Sequence, residues 1–216
     1  MKIVEPHAII ETPIHGQFAT DILVHLERCA RTCYKSEGYI TPGSAPGFIS
    51  NLIRMKKHES IIEHASATVR FICDRGVTHE IVRHRLAAYS QESTRYCNYT
   101  NDKFDNEITV IRPLFFEEGS EDWNDWYAAC KEAEARYMKL ISRGRTPQEA
   151  RSVLPNSLKT ELVMTCNMRE WRHVFSLRTS SRAHPQMTQV MRPLLAEFKT
   201  HLEPLFGDLG WGVTVS

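Results

Sequence analysis

Apolar and polar residues alternate most strictly between Ala65 and Cys73. Ala65, Ala67, Val69, Phe71 and Cys73 fall on one side and Ser66, Thr68 and Arg70 on the other, which is the period of a strand. Lys2–Ile10 and Ile108–Ile111 give weaker strand patterns. A different period takes over later: Trp123, Trp126, Tyr127, Cys130, Ala133, Tyr137, Leu140 and Ile141 recur every three or four residues, predicting an amphipathic helix that stops at Gly144. Thr146-Pro-Gln-Glu149 reads as a capping box with proline at the first helical position, so a short helix starts there. Asn167 is placed to cap a further helix carrying Arg169, His173 and Arg178, with Glu170 reaching back to the cap. A last helix is expected from about Pro185 to Leu205, kinked at Pro193. Ser36–Phe48, with three glycines and two prolines, reads as a flexible loop. Strands early and helices late predict a mixed α/β domain of the α+β type.

Composition narrows this picture. At 216 residues, 42% hydrophobic and 25% charged, the chain fits one globular domain over residues 1–216, large enough to bury a core without disulfides or a structural metal. Lys and Arg total 27 against 26 Asp and Glu, so there is no global basic field to drive nucleic-acid binding, and an anionic ligand needs a local cluster. The opening MKIVEPHAIIETPIHG lacks an apolar signal core, and no stretch approaches the roughly 20 apolar residues of a membrane span. A cytoplasmic protein with no membrane partner is expected. The six cysteines include no Cys-x-x-Cys pair, which argues against a zinc ribbon or disulfide framework; most are expected to be small buried hydrophobes.

Candidate chemistry concentrates between His58 and Tyr96: His58-Glu-Ser-Ile-Ile-Glu-His64, then His79-Glu80, Arg83-His84-Arg85 and Ser90-Gln-Glu-Ser93-Thr-Arg95-Tyr96. Any one of these residues alone reads as a solvated surface charge; their density is what asks for a ligand. A zincin site fails on spacing: His-Glu-x-x-His works because positions i and i+4 share a helix face, whereas His79 and His84 are five apart and diverge by roughly 140°. Arg83 and Arg85 beside His84 would also repel a divalent ion and suit phosphate better. On a helix the two guanidinium groups point to opposite sides, an arrangement that suits a cluster wedged between two ligands or between a ligand and another subunit. Ser93 and Arg95 fall where the chain leaves that element and where hydroxyl, guanidinium and backbone N–H can converge on a phosphate. Neither GxGxxG nor GxxxxGK[ST] occurs, so side chains must hold any nucleotide.

Arg83-His84-Arg85, seven residues, then Ser93 resembles the RHRxxxxxxxS signature of the flavin-dependent thymidylate synthases. Ala30-Arg-Thr-Cys-Tyr34, His58–His64 (HxxxxEH), Arg95-Tyr96, Glu149-Ala-Arg151-Ser-Val-Leu-Pro155, Asn167-x-Arg169 and Phe175-x-x-Arg178 with Ala183 resemble further family segments in order, from Ala30 to Arg192. The resemblance implies a central twisted, mainly antiparallel sheet flanked by helices. It also implies a homotetramer with shared active sites that makes dTMP from dUMP, with FAD as prosthetic group, 5,10-methylenetetrahydrofolate as carbon donor and NADPH as reductant. By position, His58, Ser60, Glu63, Arg83, His84, Arg85, Asn167, Arg169 and His173 match flavin-contacting residues. Glu80, Arg83, Gln91, Ser93, Arg95, Arg151 and Arg178 match dUMP-contacting residues, with Arg178 at the pyrimidine and Ser93, Arg95 and Arg151 nearer the phosphate. Arg178 and Ser93 are the implied catalytic positions, Ser93 as a ligand for dUMP; no metal is implied.

Glu80 and Gln91 stand where the family pattern has Gln and Glu, Ser90 where Asn is common, and His173 where some members have an amide; Ala183-His-Pro-Gln186-Met varies the usual start of the final helix. Thymidylate synthases that attack uracil with a cysteine do so from a Pro-Cys-His context, which no cysteine here has, so no enzyme thiolate is expected. A metal-dependent hydrolase built on the histidines and a nucleic-acid-binding module built on the arginines remain the rival readings.

Overall fold

The computed structural model describes residues 1–210. Its elements are β1 (Lys2–Val4), β2 (His7–Ile10), α1 (Gln17–Thr32), α2 (Ser44–Arg54), β3 (Ser66–Asp74), α3 (Arg75–Ile81), β4 (Ala87–Gln91), β5 (Thr109–Ile111), α4 (Glu121–Ser142), α5 (Pro147–Ala150), β6 (Lys159–Asn167), α6 (Met168–Arg178), α7 (Pro185–His201) and α8 (Glu203–Phe206). Four strands form one sheet in the order β2-β3-β6-β4, antiparallel and flanked by helices, while β1 pairs parallel with β5, Ile3 opposite Val110. The α+β expectation and the sheet type hold.

In β3 the predicted alternation buries Ala67, Val69 and Phe71, but from Phe71 to Asp74 every residue is buried, so the strand is covered on both faces at its end. Lys2–Ile10 is two strands, because Pro6 has no N–H to continue a ladder. The helix closed by Gly144 runs as expected, with Gly144 at φ 83°, the left-handed conformation that ends helices without a Cβ penalty. The Thr146–Glu149 capping box is also present.

The early part of the chain is more helical than expected. Ser36–Phe48 is no flexible loop: Glu37–Tyr39 forms a 3₁₀ turn, and Gly47 and Phe48 lie inside α2. Pro46 falls in the first turn of α2, where a missing N–H costs nothing, and Gly43 supplies the left-handed turn before it. Late in the chain β6, not foreseen, takes a place inside the sheet by burying Thr160, Leu162, Met164 and Cys166 in alternation. The last helix continues through Pro193 but ends at His201, and α8 follows after Leu202. Of the cysteines only Cys73, Cys130 and Cys166 are fully buried; Cys29 and Cys97 are half-buried and Cys33 is exposed.

The chain packs as two compact units. The first, Met1–His7, Phe71–Arg83 and Ser90–Leu162, has a core of Tyr99, Ile108, Val110, Cys130, Tyr137 and Leu158. The second, Ala8–Arg70, His84–Tyr89 and Val163 onward, packs α1 on α2, α6 on α7, and α8 on both α2 and α7. Trp171, Phe175, Phe198 and Phe206 form its aromatic centre, with ring centroids 5.1 Å apart between Phe198 and Phe206 and 5.5 Å between Trp171 and Phe175.

Candidate functional site

In the second unit a cleft of about 840 Å³ opens along α6. Asn167 starts that helix by accepting the backbone N–H of Glu170 at 2.9 Å, and so fixes how the following side chains are presented. The reciprocal contact expected of Glu170 is absent: its carboxylate turns inward to His84, Oε1 lying 3.3 Å from Nδ1. Arg169 reaches outward to Glu63, 2.5 Å away, which ties α6 to the 3₁₀ run Glu59–His64. His173, one turn on, sets its exposed ring edge-on to His84 with centroids 5.7 Å apart. Glu63, Asn167, Arg169 and His173 all line the cleft, as do Glu59, Glu170 and Arg172, whose parts the sequence did not disclose. His58 and Ser60 are exposed at the start of the 3₁₀ run.

Arg83-His84-Arg85 follows α3 in a turn, not on the helix itself. Arg83 and Arg85 are exposed and His84 is 5% exposed, so alternate residues face solvent while the imidazole points in. Its Nε2 accepts the Nε–H of Arg178 at 3.0 Å. Burial, then the Arg178 charge and then His173 push the His84 pKa down to about 4, so the ring is neutral near pH 7. The cation that acts on His84 stands 94 positions away in the chain, not among its sequence neighbours Arg83 and Arg85. Burial raises the Glu170 carboxyl, partly offset by His173.

His84, Glu170 and His173 are the one group of three metal-ligating side chains that converge among the described residues. Their chemistry does not suit an ion. Both nitrogens of His84 are already in hydrogen bonds, and the Arg178 guanidinium lies where a divalent cation would be repelled. His79, the other half of the rejected zincin pattern, lines a different cleft.

That cleft, of about 620 Å³, lies in the first unit between Arg75, His79, Thr94, Arg151, Ser152 and Asn156. Among the described residues no carboxylate lines it and Arg75 Nη1 is buried with no hydrogen-bond partner, so its donors suit an anion. Arg151 donates to the Thr94 hydroxyl at 3.4 Å. Ser93, next to Thr94, accepts the Arg95 N–H at 3.3 Å, and the Arg95 guanidinium lies 5.4 Å from the Tyr96 ring centre. The amide of Gln91 donates to the hydroxyls of Thr78 and Thr160 at 3.0 and 3.4 Å, which holds it at the end of β4. Glu80 sits on α3 of the same unit. The dUMP-matched residues thus belong to the first unit except Arg178, and the flavin-matched residues to the second except Arg83.

Residues 19–202 match the family described as thymidylate synthase complementing protein, Thy1. A flavin-dependent thymidylate synthase of Pyrococcus furiosus is 37% identical over 141 residues, 65% of this chain and 57% of that protein's length. One of Geobacter sulfurreducens is 32% identical over 196 residues, covering 85% of this chain and 80% of its own. The fold is that of thymidylate synthase X from Helicobacter pylori, solved with FAD and dUMP: TM-score 0.71, 23% identity, covering 94% of this chain and 98% of that one. Among the described residues no helix is long and apolar enough to cross a membrane.

Proposed function

The chain belongs to the Thy1 family of thymidylate synthase complementing proteins, and on that premise we propose that it is a flavin-dependent thymidylate synthase that converts dUMP to dTMP. One observation carries the reading. Four of the nine flavin-matched residues, Glu63, Asn167, Arg169 and His173, line a single cleft whose volume is in the range of cofactor sites. In it Arg169, His173 and Asn167 would offer donors for FAD; His58, Ser60, His84, Arg85 and Arg83 are assigned to the flavin by the resemblance alone. When bound, FAD supplies hydride transfer, with NADPH as reductant and 5,10-methylenetetrahydrofolate as carbon donor.

The protein's own part is orientation and charge. Arg178 acts on the pyrimidine: its Nε is committed to His84, so any contact with a uracil carbonyl is made by its terminal nitrogens, which stabilise charge developing on that oxygen. Arg151, Arg95 and Ser93 hold the phosphate, with Glu80, Gln91 and Arg83 around the nucleoside. The anionic preference of the carboxylate-free cleft beside Arg151 supports this role. No part falls to a thiolate in this reading. Burial pushes up the thiols of Cys73 and Cys166 and raises Cys130 to about 11, and Cys97 is also raised, chiefly by burial.

We read residues 1–216 as one catalytic domain that works as a cytoplasmic homotetramer with shared sites. Leu86 and Tyr96, 75% and 77% exposed beside the signature residues, support cover by another chain. The test is anaerobic assay of purified protein with dUMP, FAD, methylenetetrahydrofolate and NADPH. Flavin absorbance and dTMP formation that needs all four are expected; dTMP formation without flavin, or none, overturns the reading.

A further inference from the structure

His84 sits at the centre of a line of three groups, with buried Glu170 on one side and half-buried Arg178 on the other. Glu170 and Arg178 are eight residues apart on α6, about 12 Å along the axis, and the imidazole between them bonds to both side chains. An arginine Nε–H can only donate, so the His84 Nε2 that it meets at 3.0 Å must be an acceptor. A neutral imidazole has one N–H, which is then on Nδ1 and directed at Glu170 Oε1, 3.3 Å away. His84 and Glu170 are 5% and 7% exposed, so water offers little substitute for either bond. The Tyr89 hydroxyl donates to the His84 carbonyl at 2.6 Å and holds the backbone of the same residue.

We propose that Glu170 is a positioning residue: by accepting the Nδ1 proton of His84 it fixes the tautomer that leaves Nε2 free to accept from Arg178, and so aims the guanidinium at the substrate. Without that acceptor the ring is free to carry its proton on Nε2, donor would face donor, and Arg178 would turn away. The consequence for turnover rests on the dUMP reading above; the tautomer itself does not.

Reach and charge separate cleanly. Glu170→Gln keeps an acceptor oxygen at the same distance without the charge. Glu170→Asp keeps the charge but withdraws the carboxylate by about 1.5 Å, out of hydrogen-bond range. Neither opens a large cavity, and melting temperature and flavin content are measured for both to confirm folding. Solid-state NMR of ¹⁵N-histidine-labelled protein, with the His84 signal identified by its loss in His84→Asn, reads the tautomer directly. The expected result is an Nδ1 proton in the unaltered protein and in Glu170→Gln, and an Nε2 or mixed form in Glu170→Asp. Turnover of dUMP should stay within about threefold in Glu170→Gln and fall about ten- to a hundredfold in Glu170→Asp, the range set by one charge-assisted hydrogen bond. An Nε2 proton in the unaltered protein overturns the proposal, as does a Glu170→Asp protein with unchanged tautomer or turnover, or equal impairment of the two variants. Absence of dUMP conversion by the unaltered protein overturns the functional reading instead, and the NMR result then decides on Glu170 alone.

Discussion

Arg172 closes the rim of the α6 cleft, and its replacement by methionine gives the sharpest test of how that rim is held. Its Nη1 and Nη2 bind the two oxygens of Asp208 at 2.7 and 2.8 Å, Nη1 also donates to the Leu205 carbonyl, and Nε meets Glu59 at 3.2 Å. One guanidinium thus joins α6, the 3₁₀ run Glu59–His64 and the segment after α8. Arg172→Met keeps most of the stem and leaves two carboxylates and a carbonyl without their partner. Removing one side of a buried pair costs about 3–5 kcal/mol. Here the side chains of Glu59 and Asp208 remain 31% and 24% exposed, so water recovers part of the loss and the lower end, about 3 kcal/mol, applies. For a chain of this size that is about 6–12 °C in melting temperature. Burial pushes the Asp208 carboxyl up, but hydrogen bonding to and the charge of Arg172 outweigh it and hold the pKa below the usual 3.8. A depressed carboxylate stabilises the fold above its unfolded pKa and loses that contribution as pH falls through the folded value. Calorimetry of both proteins should therefore show a gap that is full at pH 7 and narrows only below about pH 4. A gap under about 1 kcal/mol at pH 7 would mean that the cluster acts as an ordinary exposed pair and would refute the reasoning.

Three further outcomes follow from the same geometry. Arg178→Lys keeps the charge but loses the planar fork and the Nε–H that meets His84, so dUMP binding should weaken and turnover collapse while bound flavin, read by visible absorbance, is retained. Ser93→Ala should raise the dUMP concentration needed by about one to two orders of magnitude, the range set by a hydroxyl on a charged phosphate, yet still turn over at saturation with no covalent adduct in mass spectrometry. Gly144→Ala forces a Cβ into a φ of 83° with nothing within 4 Å to clash, so it should cost only about 1 kcal/mol, visible as a shift of about 2–4 °C and no change in activity.

The elements that the sequence disclosed are those whose signal is local. The helix ending at Gly144, the Thr146 box and the Asn167 cap each depend on a few neighbouring residues, and all three are present. The misreadings came where tertiary packing decided. The Gly- and Pro-rich stretch before Phe48 forms part of α2 because the Arg31 guanidinium sits 4.2 Å over the Phe48 ring and Ser44 bonds to Glu27, contacts that composition does not carry. In β6 the alternation of Thr160, Leu162, Met164 and Cys166 with Glu161, Val163 and Thr165 was available to the period of two, but polar Thr160 and apolar Val163 blur the two faces.

The site divides in the same way. The family resemblance named Glu63, Asn167, Arg169 and His173 together with five others; the four line one cleft because a helix cap and one helical turn place three of them and a charge pair adds the fourth. What sequence could not supply was which charged residues turn inward. Glu170 follows Arg169 directly, yet one is 7% exposed and the other faces solvent, since successive helical positions differ by about 100°. The state of His84 shows the cost of that blindness. Its immediate neighbours in sequence are two exposed arginines, which water screens, whereas its partners in space are a buried carboxylate and a guanidinium that bind opposite edges of the ring. A neutral imidazole gripped from both sides is a rigid connector and a poor base, suited to holding Arg178 in place, and proton transfer from a hydroxyl such as that of Ser93 has no acceptor there.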